Sequence, residues 1–238
     1  MVVLFKQIAT AFLLLSLFGS AYASSEKQIR GELQKRLGSS ANIRSVVASP
    51  IPGLFEVQVN SEIFYTDSAG KYLIQGEMIE LASGTNLTAK RQEDINRIKW
   101  SELPQANAFK VVRGNGNRQI AVFSDPNCGY CKRLEKTLQQ LDNVTIYNYL
   151  IPILSPDSAL KSKQIWCATD RQKVWNDWML NNISPSGKSD CSNPIDKNLA
   201  IAKTYGINGT PTIFFTDGSR FPGAVQLSDI EKKLASLK

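Results

Sequence analysis

The chain has 238 residues, with 28 Lys and Arg against 21 Asp and Glu for a formal net charge of +7, and it contains no histidine. The missing histidine excludes a Ser-His-Asp triad, a Cys-His nucleophile and a histidine-ligated zinc, so any chemistry must run on the four cysteines, on carboxylates or on lysine. The basic residues are scattered, with no basic block and no aromatic-interleaved stripe, so the charge reads as a solvated surface and no nucleic-acid partner is expected.

The first element is a leader. Lys6 precedes an apolar run from Ile8 to Phe18, then come Ala21-Tyr22-Ala23 and the polar Ser24-Ser25-Glu26. This is the three-part layout of a secretory signal, and cleavage is expected near Ala23, giving residues 1–23 as signal peptide. The run is well short of the roughly 20 residues that span a bilayer as a helix. An exported mature protein of about 215 residues is expected, a comfortable length for two small domains.

Residues 24–84 read as a small α+β domain. Ile29, Leu33 and Leu37 share one helical face over residues 26–37. Between 54 and 81 the pattern alternates as strands, with Phe55, Val57 and Val59 on one face, then Ile63 and Tyr65, and a turn at Asp67-Ser68-Ala69-Gly70. Residues 85–106 are expected to form a linker helix. From Leu87 to Leu103 the sizeable apolar residues are Leu87, Ile95, Ile98, Trp100 and Leu103, a weak stripe that suits a solvated helix between domains.

Residues 107–238 read as an α/β domain. Gln119–Ser124 is a buried strand, Asp125-Pro126-Asn127 a turn, and residues 128–141 a helix with Cys131, Leu134, Leu138 and Leu141 on its apolar stripe. A strand at Val144–Leu150, a helical insertion over about 158–182, a strand at 212–215 and a last helix complete the order. Ser228-Asp229-Ile230-Glu231 has the capping-box pattern for opening that last helix.

All four cysteines, Cys128, Cys131, Cys167 and Cys191, lie in this second half. An even number in an exported chain points to disulfides. Cys128 and Cys131, with two residues between them, have the spacing of a redox centre, whereas Cys167 and Cys191 are far enough apart to read as a structural bridge. A four-cysteine zinc site would need two close pairs, so no metal is expected, and no cofactor. Cys128 falls at a helix N-terminus, where unpaired N–H groups and the helix dipole favour thiolate over thiol, and Lys132 and Arg133 add positive charge nearby. Its pKa is expected below the free value of about 8.5. Cys131 is expected to be more buried and to act second, resolving the mixed disulfide that Cys128 forms with a substrate. Asp125 reads either as a turn residue serving backbone N–H groups or as a proton-transfer group. Tyr130 reads either as a merely exposed aromatic or as a side chain that tunes the pair or touches substrate.

Downstream, Gly209-Thr210-Pro211 directly precedes the strand at 212–215, and X-Pro bonds are the usual place for a cis peptide. A C-x-x-C on strand–turn–helix together with a later Thr-Pro before a strand resembles the thioredoxin fold. Within it, Cys128-Gly129-Tyr130-Cys131, Ile165-Trp166-Cys167-Ala168, Asp190-Cys191 and the run from Tyr205 to Pro211 resemble the DsbC/DsbG family of bacterial periplasmic disulfide isomerases, over essentially the whole mature chain. The resemblance implies a cis Thr210-Pro211 against the cysteines, with Gly129, Tyr130, Thr210 and Pro211 forming the active-site loops. It implies a homodimer held by the N-terminal domain, V-shaped with two facing sites, and residence in the periplasm. The implied substrates are misoxidised or unfolded exported proteins with several cysteines, and the implied electron donor is a DsbD-like membrane reductase. A periplasmic reductant or oxidase of the same superfamily would share these motifs, and chaperone-type binding of unfolded chains is a second class of activity.

Overall fold

Residues 25–237 are described by the structure, a computed structural model. The expected signal peptide at 1–23 lies outside the described residues. Among them, no helix is long and apolar enough to cross a membrane. The chain divides after Ile95 into two compact units.

The first unit opens with a helix over residues 25–37 (α1). Strands β1 (Ile43–Ala48), β2 (Leu54–Val59), β3 (Glu62–Asp67) and β4 (Leu73–Ile74) follow and form an antiparallel sheet in that order. The period-two pattern fixes which face is buried: Phe55, Val57 and Val59 point at Ile29 and Leu33 of α1, together with Ile43 and Val46. The turn at Asp67 is closed by Gly70 N–H donating to the Asp67 carbonyl, while the Asp67 carboxylate takes the N–H groups of Lys71 and Tyr72. A short hairpin, β5 (Ile79–Glu80) with β6 (Thr85–Asn86), leads into helix α2 (Leu87–Ile95).

The helix expected over 85–106 is therefore confined to Leu87–Ile95, nine residues. Its contacts are with the first sheet: Thr88 and Tyr65 share a hydroxyl–hydroxyl bond, and Arg91 pairs with Glu56 at 2.9 Å. Ile98 and Leu103 do not lie on a solvated stripe. They are buried in the second unit with Phe123, Tyr149 and Phe214, on either side of a short 3₁₀ turn at Trp100–Glu102, and a second such turn follows at Gln105–Asn107. Gly218 makes this seating possible. It has φ +83°, and a Cβ there would stand 2.1 Å from the Ile98 carbonyl oxygen, so only glycine lets the two backbones approach.

In the second unit, β7 (Phe109–Arg113), β8 (Arg118–Ser124), β9 (Val144–Leu150), β10 (Thr212–Phe215) and β11 (Arg220–Pro222) build one sheet in the order β11-β10-β8-β9-β7. β8 and β9 are parallel, in register from Arg118 opposite Val144 to Ser124 opposite Leu150, and the other pairings are antiparallel. A parallel pair needs a crossover, and α3 (Gly129–Leu138) supplies it. Its buried side chains include Cys131, Leu134 and Leu138, the stripe read from the sequence.

The helical insertion is two helices, α4 (Pro156–Cys167) and α5 (Arg171–Asn181), since Ala168 turns extended and Asp170 starts a new helix by accepting from Lys173 N–H at 2.9 Å. Helix α6 (Ile195–Thr204) follows, and α7 (Leu227–Ser236) closes the unit. The capping box at Ser228 does not form. Leu227 already packs on the core, so the helix starts two residues earlier, with Gln226 at the cap and no side-chain cap bond.

Candidate active site

β8 delivers the chain to the edge of the sheet, and Asp125-Pro126-Asn127 turns it into α3. Every residue of this turn is tied. The Asp125 carboxylate, 0% exposed, accepts from Asn127 N–H at 2.8 Å and from the N–H groups of Ile153 and Leu154 at 2.8 and 3.0 Å. The Asp125 carbonyl accepts from Cys128 N–H. These bonds are those of the turn reading: the carboxylate spends its acceptor capacity on backbone donors. Pro126 offers its carbonyl to Trp178 Nε1 at 2.6 Å, and Asn127 donates through Nδ2 to Asp157 at 2.7 Å and to Ser155 Oγ at 3.3 Å.

Cys128 then caps α3. Its backbone is extended, and its sulfur accepts from Cys131 N–H at 3.4 Å, the role that a serine oxygen usually plays at this position. Facing it from the strand side, the Thr210 carbonyl oxygen lies 3.2 Å from Cys128 Sγ. The Thr210-Pro211 peptide is cis. Cys128 is 6% exposed and Cys131 2%, in the burial order expected, and both are free thiols. Gly129 is exposed and a Cβ there would meet open space, while Tyr130 is 60% exposed with the Arg133 guanidinium 5.2 Å from its ring centroid.

The electrostatics separate the two sulfurs. The Cys131 thiol, donating to Cys128, holds the Cys128 pKa down at about 5; burial works against this, and the backbone N–H groups of Cys131 and Tyr130 assist. Burial pushes the Cys131 thiol far up, and a thiolate next to it pushes in the same direction. Lys132 and Arg133 contribute less than their sequence positions suggest. The Lys132 ammonium is held 3.6 Å from the Trp178 ring centroid and donates to Asn182 Oδ1, and Arg133 is over Tyr130.

Cys167 and Cys191 are bonded to each other, with Cα atoms 5.7 Å apart, and join the end of α4 to the segment before α6. Two features had no separate signal in the sequence. Trp178 looks there like any apolar residue of a helical insertion, and only the fold brings it to the turn. Glu135, one turn beyond Cys131, is buried, takes Trp175 Nε1–H at 3.0 Å and Gln139 Nε2–H at 2.9 Å, and has its pKa raised by that burial.

A mixed five-stranded sheet whose parallel crossover helix starts on a Cys-x-x-C pair, opposite a cis-proline that opens a strand, puts the second unit in the thioredoxin class. Residues 105–238 match the model of a thioredoxin-like domain, and residues 20–89 match that of the disulfide bond isomerase protein N-terminal domain. The chain is 37% identical over 225 residues to the probable thiol:disulfide interchange protein DsbC of Bordetella avium, covering 91% of this chain and 80% of that protein. It is 44% identical over 182 residues to the protein of the same name from Bordetella pertussis, covering 76% of this chain and 65% of the relative's length. Among solved structures, a disulfide interchange protein from Neisseria gonorrhoeae is 40% identical with a TM-score of 0.53, covering 56% of this chain and 96% of that one. The chain belongs to the DsbC family.

Proposed function

We propose that this protein is a periplasmic disulfide isomerase and reductase, with Cys128 as the attacking sulfur and Cys131 as the resolving one. The observation that carries the reading is the asymmetric geometry of the pair: Cys128 caps α3 with its sulfur on Cys131 N–H and facing the Thr210 carbonyl, which goes with a pKa lowered to about 5, while Cys131 lies deeper and burial keeps its thiol protonated. A thiolate at about 5 is formed at neutral pH and is also a good leaving group, and reshuffling needs both attack and release. Stabilising the reduced form in this way makes the oxidised pair more oxidising, which favours an isomerase or oxidase over a dedicated reductant.

In the forward step, Cys128 Sγ⁻ attacks one sulfur of a substrate disulfide, and the other leaves as a thiolate. That thiolate can attack another disulfide of the substrate, and the sulfur displaced there then attacks the substrate sulfur of the mixed disulfide and releases Cys128 as a thiolate; alternatively Cys131 loses its proton, attacks Cys128 Sγ and releases the substrate as a dithiol, leaving a Cys128–Cys131 disulfide. Thr210 and Pro211 form the opposite wall, where an extended substrate segment could pair with backbone groups. Gly129 and Tyr130 complete the loop, and the exposed Tyr130 ring is placed to meet substrate. Asp125 serves as the clamp of the turn. The first unit, residues 24–84 with α2, serves as a homodimerisation domain; misoxidised exported proteins with several cysteines are the substrates, and a DsbD-like membrane reductase restores the dithiol. Residues 1–23 act as the export signal.

The test is refolding of scrambled ribonuclease under a glutathione buffer. The wild type should reshuffle, Cys131→Ser should accumulate mixed disulfides on a non-reducing gel, and Cys128→Ser should be inert. Activity that appears only with excess reductant, with no reshuffling, would move the assignment to a reductant.

A further inference from the structure

The insertion reaches the active site through one residue. Helix α5 buries Trp175 and Met179 in the core and leaves Trp178 half-buried at its margin. The edge of the Trp178 indole donates to the Pro126 carbonyl at 2.6 Å, in the turn that ends at Cys128. Its face carries two ammonium groups, Lys132 Nζ at 3.6 Å from the centroid and Lys161 Nζ at 4.7 Å. Lys132 belongs to the first turn of α3, the helix that Cys128 caps, and it also donates at 2.7 Å to Asn182, which ends α5 in a left-handed conformation. One indole therefore holds the peptide before the attacking cysteine and the helix turn after it.

We propose that Trp178 is a positioning residue for thiol–disulfide exchange, fixing the turn at Pro126–Cys128 against the start of α3 so that the free N–H groups there converge on the Cys128 sulfur. The proposal rests on the reading of Cys128 as the attacking sulfur. Its physical basis is the dependence of a helix cap on the backbone angles of the capping residue: Cys128 is extended, and its sulfur meets Cys131 N–H at 3.4 Å, an ordinary separation for a sulfur acceptor that a shift of the turn would lengthen. A turn is the flexible approach to that cap, and a neutral carbonyl bonded to a half-buried indole is what pins it. The charged groups around Cys128 are Asp125 on the turn, Lys132 and Arg133 on α3, and Asp157 and Lys161 on α4; the β10 side presents the Thr210 carbonyl. Lys161 pairs with Asp157, which also holds Asn127, so the same cluster anchors the middle of the turn.

The test is alkylation of the reduced, full-length protein by iodoacetamide across pH, comparing wild type, Trp178→Phe and Trp175→Phe. Trp178→Phe keeps a ring under both ammonium groups and removes the N–H that holds Pro126; Trp178→Met removes the same N–H without adding a donor should the first variant fold poorly. The expected result is a rise of the Cys128 midpoint by roughly 0.5–1 pH unit, about the effect of one hydrogen bond on a neighbouring charge. Trp175→Phe removes an indole N–H from the same helix, but one that serves Glu135, and should lower the melting temperature with the midpoint unmoved. A low wild-type midpoint that Trp178→Phe leaves in place overturns the proposal alone, as does an equal rise in both variants, which would mean general loosening. A wild-type midpoint at or above that of free cysteine overturns the exchange reading, and the proposal with it.

Discussion

Replacing Cys128 by serine should remove a pH-dependent part of the stability of the reduced protein. The folded chain holds this thiol at about 5, whereas an unfolded cysteine titrates near about 8.5. Between those values the folded state has lost a proton that the unfolded chain still carries, so stability rises with pH, by at most about 1.4 kcal/mol per unit. The contribution is fully present above the unfolded pKa and disappears as pH falls through the folded one. At pH 7, two units above the folded value, the ceiling is a little under about 3 kcal/mol; solvent screening at the mouth of the site reduces this to roughly 1–2 kcal/mol. Cys131 adds nothing in this window, because its raised pKa keeps it protonated in both states. Serine does not titrate, so the stability difference between reduced wild type and Cys128→Ser should widen steadily from about pH 5 to about pH 8. Urea unfolding at several pH values under a non-thiol reductant measures it. A difference that stays flat across that range would refute the assignment of the depressed pKa to Cys128.

Two further perturbations probe the scaffold. Asp125→Asn keeps one acceptor oxygen but turns an amide N–H toward backbone donors of Asn127, Ile153 or Leu154, so a loss of roughly 2–4 kcal/mol is expected in chemical denaturation, and an unchanged midpoint would remove Asp125 as the clamp. Replacing both Cys167 and Cys191 by alanine frees a loop with a sequence separation of 24, for which the chain-entropy model gives about 3.5 kcal/mol; denaturation of the oxidised proteins checks it, and equal stabilities would show that the bridge constrains little.

The close cysteine pair and the elements that carry it were legible before the fold because their signals are local. The cysteine spacing, the apolar run at Gln119–Ser124, the turn at Asp125 and the three-and-four spacing from Cys131 to Leu138 all lie within about 20 consecutive residues, and periodicity reports such elements directly. The alternation at Phe55, Val57 and Val59 was readable for the same reason. Elements that depend on distant partners were not. Strands β1, β7 and β11 and helix α6 had no assignment, and the weak stripe from Leu87 to Leu103 suggested one solvated helix where the chain instead stops the helix at Ile95 and buries Ile98 and Leu103. A few apolar residues in a charged stretch cannot say which unit will receive them.

The sequence alone therefore determined the close cysteine pair and its place at a helix N-terminus, since both rest on near neighbours, and its spacing divided the cysteines as the structure bonds them. Tertiary structure decided what controls the pair. Lys132 was expected to act on Cys128, and its ammonium is instead drawn to Trp178 and Asn182, while the sulfur is stabilised chiefly by Cys131. Asp125 could be a proton carrier or a turn residue until Ile153 and Leu154, 28 and 29 residues away, were seen to fill its carboxylate. A side chain's charge and hydrogen-bonding capacity are written in the sequence; the partner that uses them is chosen by packing among segments far apart in the chain.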